Sequence, residues 1–196
     1  MKTLSQACTP ILTTAEKTNN SLAPSQSSLT NSGGQMIITP QQLSQTTPKE
    51  NDQRLSQLLK HTLKLPLNTQ RKTIFTEYGA EFVDEVSFGD MTQEQYDKAM
   101  LVLREFNKPL PSQQIIKLIA RLQIICPERA KPEYDTKART AIWVQELSKY
   151  PADIVNYVLR MRYKWFPALS EVLDNCYNEM AYRKLIERGI RVAYWR

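Results

Sequence analysis

The chain has 196 residues, 41% of them apolar, which suits one domain plus a tail. Glycine is scarce, at 5 residues, good helix formers dominate, and β-branched runs of period two are nearly absent, so helices are expected over sheets. No apolar run approaches the ~20 residues of a membrane span and the N-terminus carries no apolar signal core, while a net charge of +6 permits nucleic-acid contact without demanding it.

Residues 1–49 are rich in Ser, Thr, Gln, Asn and Pro, as in Ser21–Gly34, and read as a disordered tail. Such a segment buries too little surface to offset its ordering entropy. Its apolar island, Met36-Ile37-Ile38, reads as a docking stub or as stray apolar residues in a tail. From residue 50 the pattern changes. Leu55, Leu58, Leu59 and Leu63 share one face of a helix that Pro66 closes. Asn68 or Thr69 can cap the next segment, where Phe75, Tyr78, Phe82 and Val86 fall on one side, with Gly79 weakening the helix.

Asp90 offers an N-cap, with Gln93 three residues on, before Tyr96, Ala99, Met100, Leu103 and Phe106 at helical spacing. After the break at Asn107–Pro111, Ser112 caps a strongly apolar helix. Ile115, Leu118, Ile119, Leu122 and Ile125 line one face of it, with Ile116 and Ile124 beside them. A helix is expected from Glu133 to Lys149, after Pro127 and Pro132, with Ile142, Trp143 and Leu147 turned inward. Pro151 suits the first turn of the next, whose buried face is Ile154, Val155, Val158 and Leu159. Past Trp165-Phe166-Pro167, Leu169, Val172, Leu173, Cys176, Tyr177 and Met180 predict one amphipathic helix reaching Arg188, with Gly189 as its C-cap. The expected fold class is therefore all-α. It is a compact domain of about six or seven helices over residues 50–188, with a disordered N-terminal tail before it and a short basic-aromatic C-terminal tail, 189–196, after it.

Chemistry is sparse. Cys8, Cys126 and Cys176 are scattered and no CxxC occurs, which excludes a disulfide framework or zinc site and points to a reducing, cytoplasmic compartment. Cys126 and Cys176 read as buried hydrophobes. The single histidine, His61, leaves no Ser/His or Cys/His site. Glu81 with Asp84 or Glu85 would share a helix face, which reads as solvated rather than metal-binding. No phosphate-binding glycine motif occurs. A non-enzymatic protein without cofactor or metal is expected.

Net charge is +2 over residues 1–49, zero over 50–138 and +4 over 139–196. Within the basic third, Arg160, Arg162 and Lys164 interleave with Tyr157, Tyr163, Trp165 and Phe166. Such interleaving can stack bases and neutralise phosphates, or can equally plug a helix joint with aromatics and leave the cations in solvent. Arg183, Lys184 and Arg188 complement a helix C-terminus. With Arg191 and Trp195 of the tail they complete the candidate partner- or nucleic-acid-binding set.

From Trp143 the chain runs W-x3-L-x3-P-x2-I-x3-V, then K-W-F-P-x-L-x-E, carried by Trp143, Leu147, Pro151, Ile154, Val158, Lys164, Phe166, Pro167, Leu169 and Glu171. This resembles the small helical phage and prophage replication proteins of the replicative-helicase loader/inhibitor type. In that family the folded unit precedes the tail, the reverse of the order here. The resemblance implies a DNA-replication adaptor that binds a hexameric replicative helicase through residues 133–164 and the C-terminal tail. A small DNA-binding regulator and an assembly adaptor that touches no nucleic acid are the alternatives, although no helix-turn-helix spacing is clear.

Overall fold

A computed structural model describes residues 37–76, 79–127 and 136–196, and the side chains of residues 74–82 are not among those described. The tail up to residue 36 with Cys8 and Met36, Tyr78, Pro132 and the expected helix start at Glu133 lie outside the described residues, and the inward directions expected of Phe75 and Phe82, like the Glu81 side chain of the acidic group, fall among the side chains not described. The described residues form eight helices and one two-stranded sheet: α1 Pro40–Ser44, α2 Pro48–Leu63, β1 Leu67–Thr76, β2 Gly79–Phe88, α3 Gln93–Phe106, α4 Ser112–Ile125, α5 Thr136–Leu147, α6 Ala152–Val158, α7 Leu169–Glu179 and α8 Ala181–Tyr194. The helical class is as the composition implies.

The ordered part begins before residue 50. Thr39 caps α1 and Thr47 caps α2, each through a reciprocal capping box, with Gln42 and Glu50 respectively. Ile38 and Leu43 are fully buried in the main core, while Ile37 is half exposed. The Ile38 backbone is tied to α3 and its end, because its N–H donates to Glu105 at 2.9 Å and its carbonyl accepts from Lys108 at 3.1 Å. Residues 37–49 are therefore an integral strap across the helices.

A larger correction concerns residues 67–88, read from the sequence as a helix. They form an antiparallel hairpin paired from Leu67↔Phe88 out to Thr76↔Gly79. Phe82 and Val86 stand four residues apart, a spacing that satisfies both a 3.6-residue and a two-residue period. Gly79 and the clustered Thr, Ile, Phe and Val decide for the strand. Val86 and Phe88 are buried and Ser87 between them is less so, the alternation of a half-covered strand. Asp84 and Glu85 thus fall on opposite faces of β2, where Arg71 of β1 pairs with Asp84 at 3.3 Å and Lys72 pairs with Glu85.

Further along, the cap of α3 is Thr92 with Gln95 rather than Asp90 with Gln93. Ser112 is the first residue of α4, after an N-cap Pro111 without a side-chain cap bond. The expected single helix from Leu169 breaks at Met180, which ends α7 and opens α8. Gly189 is not a C-cap, and residues 189–196 are not a separate tail. The helix continues to Tyr194, with Ile190 and Ala193 in the core.

The reason for Gly189 is packing. A Cβ there would stand 2.4 Å from the Val86 carbonyl oxygen and 3.1 Å from its carbon, so glycine lets α8 lie directly on the β2 backbone. On its other side α8 meets α3, where Tyr96 and Tyr194 stack at 4.4 Å. Replacing Gly189 by Ala gains helix propensity of at most about 1 kcal/mol but drives α8 off the hairpin. We expect a net loss of about 1–3 kcal/mol in urea unfolding; equal or greater stability would refute the close-approach account.

Candidate functional site

The structure divides the nine candidate residues into three groups. Arg183 leaves the binding set altogether, since it is fully buried. Its Nε donates to Asp52 of α2 at 2.8 Å, one terminal nitrogen donates to the Phe106 carbonyl at 2.9 Å and to Asp153 at 3.1 Å, and the other pairs with Asp153. Asp153, also fully buried, accepts from Asn51 at 3.0 Å, and Asn51 donates in turn to the Leu43 carbonyl at 3.0 Å. One guanidinium therefore joins α2, α3, α6 and α8, and through Asn51 the α1 strap. Burial pushes the Asp52 carboxyl up to about 6, against the pull of Arg183. Burial works against the Arg183 charge, and Asp153 and Asp52 more than offset it, so the guanidinium is held above its ordinary value.

A second group lies along α8. Lys184 sits over the Tyr177 ring at 3.5 Å, and Arg191 pairs with Glu187 at 2.7 Å. Arg188 lines a cleft of about 220 Å³ between α8 and β2, floored by Val86 and Gly189. Lys72 bonds Glu85 at that cleft, and with Arg188 and Arg196 it holds the Glu85 carboxyl below its usual range. Trp195 is 80% exposed beside the edge of Tyr194. Local partners thus account for Lys184 and Arg191.

Arg160, Arg162, Lys164 and Trp165 form the third group, on the turn between α6 and α7. This corner is rigid for stated reasons. The Tyr163 hydroxyl donates to the Val158 carbonyl at 3.2 Å, the Phe166 N–H donates to the Pro127 carbonyl at 3.0 Å, and the Cys126 thiol donates to the Tyr163 carbonyl at 3.6 Å. Phe166 packs against Trp143 at 5.3 Å and carries the Arg139 guanidinium over its ring at 4.9 Å. Trp165 turns outward, at 37% exposure. Together with Arg139, Arg162, Lys164 and Glu171 it lines a cleft of about 490 Å³. A neighbouring cleft of about 400 Å³ holds Arg160, Lys117, Gln114 and Asn156.

Sequence reasoning missed a fourth feature. Ile116, Ile124, Ile125 and Ile142 are 45, 85, 56 and 54% exposed, although Ile125 and Ile142 were expected to face inward. The groove between α4 and α5 is lined by Ile116, Ala141 and Val144, with a volume of about 620 Å³. The signal was present: α4 carries seven large apolar residues in fourteen, more than one helix face can bury.

Cys126 and Cys176 are buried, and burial pushes the Cys176 thiol up to about 12, which leaves it protonated and inert. No described helix is long and apolar enough to cross a membrane. No protein-family model, curated protein or solved structure matches the chain. Trp143, Leu147, Pro151, Ile154, Val158 and Pro167, which carry most of the resemblance noted above, are all buried. They are packing positions, and the surface around them has to be argued from its own chemistry.

Proposed function

We propose that the protein is a non-enzymatic replication accessory adaptor that docks on a partner protein through the α4–α5 face. The carrying observation is the groove between α4 and α5, lined by exposed Ile116 with Ala141 and Val144, on helices that also leave Ile124, Ile125 and Ile142 exposed. Scattered surface apolar residues are ordinary, whereas an open apolar groove between two packed helices, each with a further uncovered isoleucine, is the kind of surface that marks protein contacts. A hexameric replicative helicase is the partner to test first, on the strength of the Trp143–Glu171 pattern. On this reading the adaptor binds the helicase in defined ratio and restrains or delivers it.

The test is co-elution of the full chain with the replicative helicase of the same organism on a sizing column. A stable complex is expected, lost in the Ile116→Asp/Ala141→Asp double variant and retained in Trp195→Ala. Both residues are exposed, so their replacement leaves the core intact. No complex with the intact chain would sink the helicase assignment; a complex indifferent to the double variant would sink the docking face.

A further inference from the structure

We propose that the turn carrying Arg160–Trp165 binds single-stranded nucleic acid, with Arg160, Arg162 and Lys164 on consecutive phosphates and Trp165 stacking on a base. The proposal stands on a different surface from the docking face and does not depend on it.

Four observations support it. First, the corner is charged without compensation. Among the described residues neither Arg162, Lys164 nor Lys117 forms an ion pair, and Arg160 only donates its Nε to the Asn156 side chain at 2.9 Å. This contrasts with Lys149 and Arg191, whose charges are met by Glu146 and Glu187. Glu171 is the one carboxylate among the residues lining the two clefts. Second, the cations are spread along a track rather than gathered at a point. Arg160 and Lys117 lie in one cleft and Arg162 and Lys164 in the next. Four residues of chain reach at most ~14 Å, a span that suits two or three successive phosphates of a single strand.

Third, the ring chemistry is already sorted. Phe166 is used internally by Trp143 and Arg139, while Trp165 offers an open indole at the mouth of the larger cleft. A base stacked on such a ring needs no particular identity, so recognition is tolerant of sequence. Fourth, the turn is pinned by Tyr163, Cys126 and the Phe166 N–H, so little ordering opposes binding. An acidic peptide would satisfy the cations but has no use for an exposed indole beside a phosphate-spaced track. A duplex offers no unstacked base to Trp165.

The experiment is fluorescence anisotropy of a labelled thymidine 20-mer with the full chain, titrated at several salt concentrations. A duplex of the same length and a polyglutamate peptide serve as competitors. We expect log K to fall with log salt at a slope of about −2, since three cations on a single strand each contribute about −0.7. The Arg160→Ala/Arg162→Ala/Lys164→Ala variant should lose nearly all of that slope. Trp165→Ala should weaken binding about tenfold or more while leaving the slope unchanged. All four residues are exposed, and an unchanged thermal melt confirms that the variants fold. The proposal is overturned by absence of binding at low salt, by binding indifferent to these variants, or by duplex or polyglutamate competing better than unlabelled single strand.

Discussion

Replacing Asp153 by Ala should lower folding stability by about 3–5 kcal/mol, the loss that follows when a buried charge keeps its place and loses its partner. In this variant the fully buried Arg183 keeps Asp52 and the Phe106 carbonyl but loses both oxygens of its main counter-ion. Arg183→Met should be comparably harmful on its own, because it strands Asp153 with Asn51 as its remaining described partner. The double variant Arg183→Met/Asp153→Ala should lose less than the sum of the two, since the central pair is removed together and only Asp52, at the edge of the core, then lacks its partner. Urea unfolding of the four proteins gives the cycle; additive losses would show that the pair is not coupled.

The same network predicts a pH dependence. The Asp52 carboxyl is raised to about 6 in the fold against 3.8 for its ordinary value, so between those values the folded state holds the extra proton. Its contribution to stability is complete below about pH 4 and is lost as pH rises through 6. The expected size is at most about 3 kcal/mol, reduced by solvent screening at the partly exposed carboxyl. Burial and the neighbouring Asp153 also raise Glu179, so the comparison that isolates Asp52 is intact chain against Asp52→Asn. The stability difference between the two should shift with pH from 4 to 6 and stay flat above 7. A difference independent of pH would contradict the burial argument.

A chain shortened to residues 50–196 should fail to fold as a rigid domain. The cut removes Ile38 and Leu43, both fully buried, and the Thr47 cap of α2. Loss of each large aliphatic side chain from a packed core costs about 2–5 kcal/mol, and the two together rival the whole stability of an ordinary domain. Hydrogen bonds are lost as well: Asn51 and Asn156 donate to the Leu43 and Ser44 carbonyls, the latter at 2.8 Å. The shortened chain is expected to bind a hydrophobic dye and to melt without cooperativity, while residues 37–196 melt sharply. In the full chain, Ile38→Ala alone should cost about 2–5 kcal/mol. A cooperative melt of residues 50–196 within a few degrees of the longer chain would disprove the strap.

That error of boundary shows why parts of the fold were hidden. Ile38 closes a three-residue apolar island and Leu43 stands alone among polar residues, and neither an island nor a five-residue helix carries a periodicity that flags burial. Their burial depends on Glu105, Lys108 and Asn156, 67, 70 and 112 residues away from their partners. The hairpin was masked because a four-residue spacing fits helix and strand alike. Gly189 looked like a helix end because glycine usually is one, whereas here it is set by a strand about a hundred positions earlier.

The candidate surface was legible in the same uneven way. Arg160, Arg162, Lys164 and Trp165 do share an exposed corner. Arg183 looked like any basic residue near a helix end, yet it is the cation at the centre of the core.

By itself the sequence determined the helical class, the buried faces of α2 and α6, Val172 and Cys176 of α7 (though not Tyr177, which is 57% exposed), the buried Cys126, and the basic-aromatic character of the turn after α6. Those properties follow from local periodicity and composition, which act within a few residues. The hairpin, the strap, the break at Met180, the burial of Arg183 and the exposure of Ile124 and Ile142 were decided by the tertiary structure alone. Each depends on which distant side chain or carbonyl arrives opposite. An arginine reads as a surface cation until two carboxylates from other helices enclose it, and an isoleucine reads as core until the neighbouring helix leaves it uncovered.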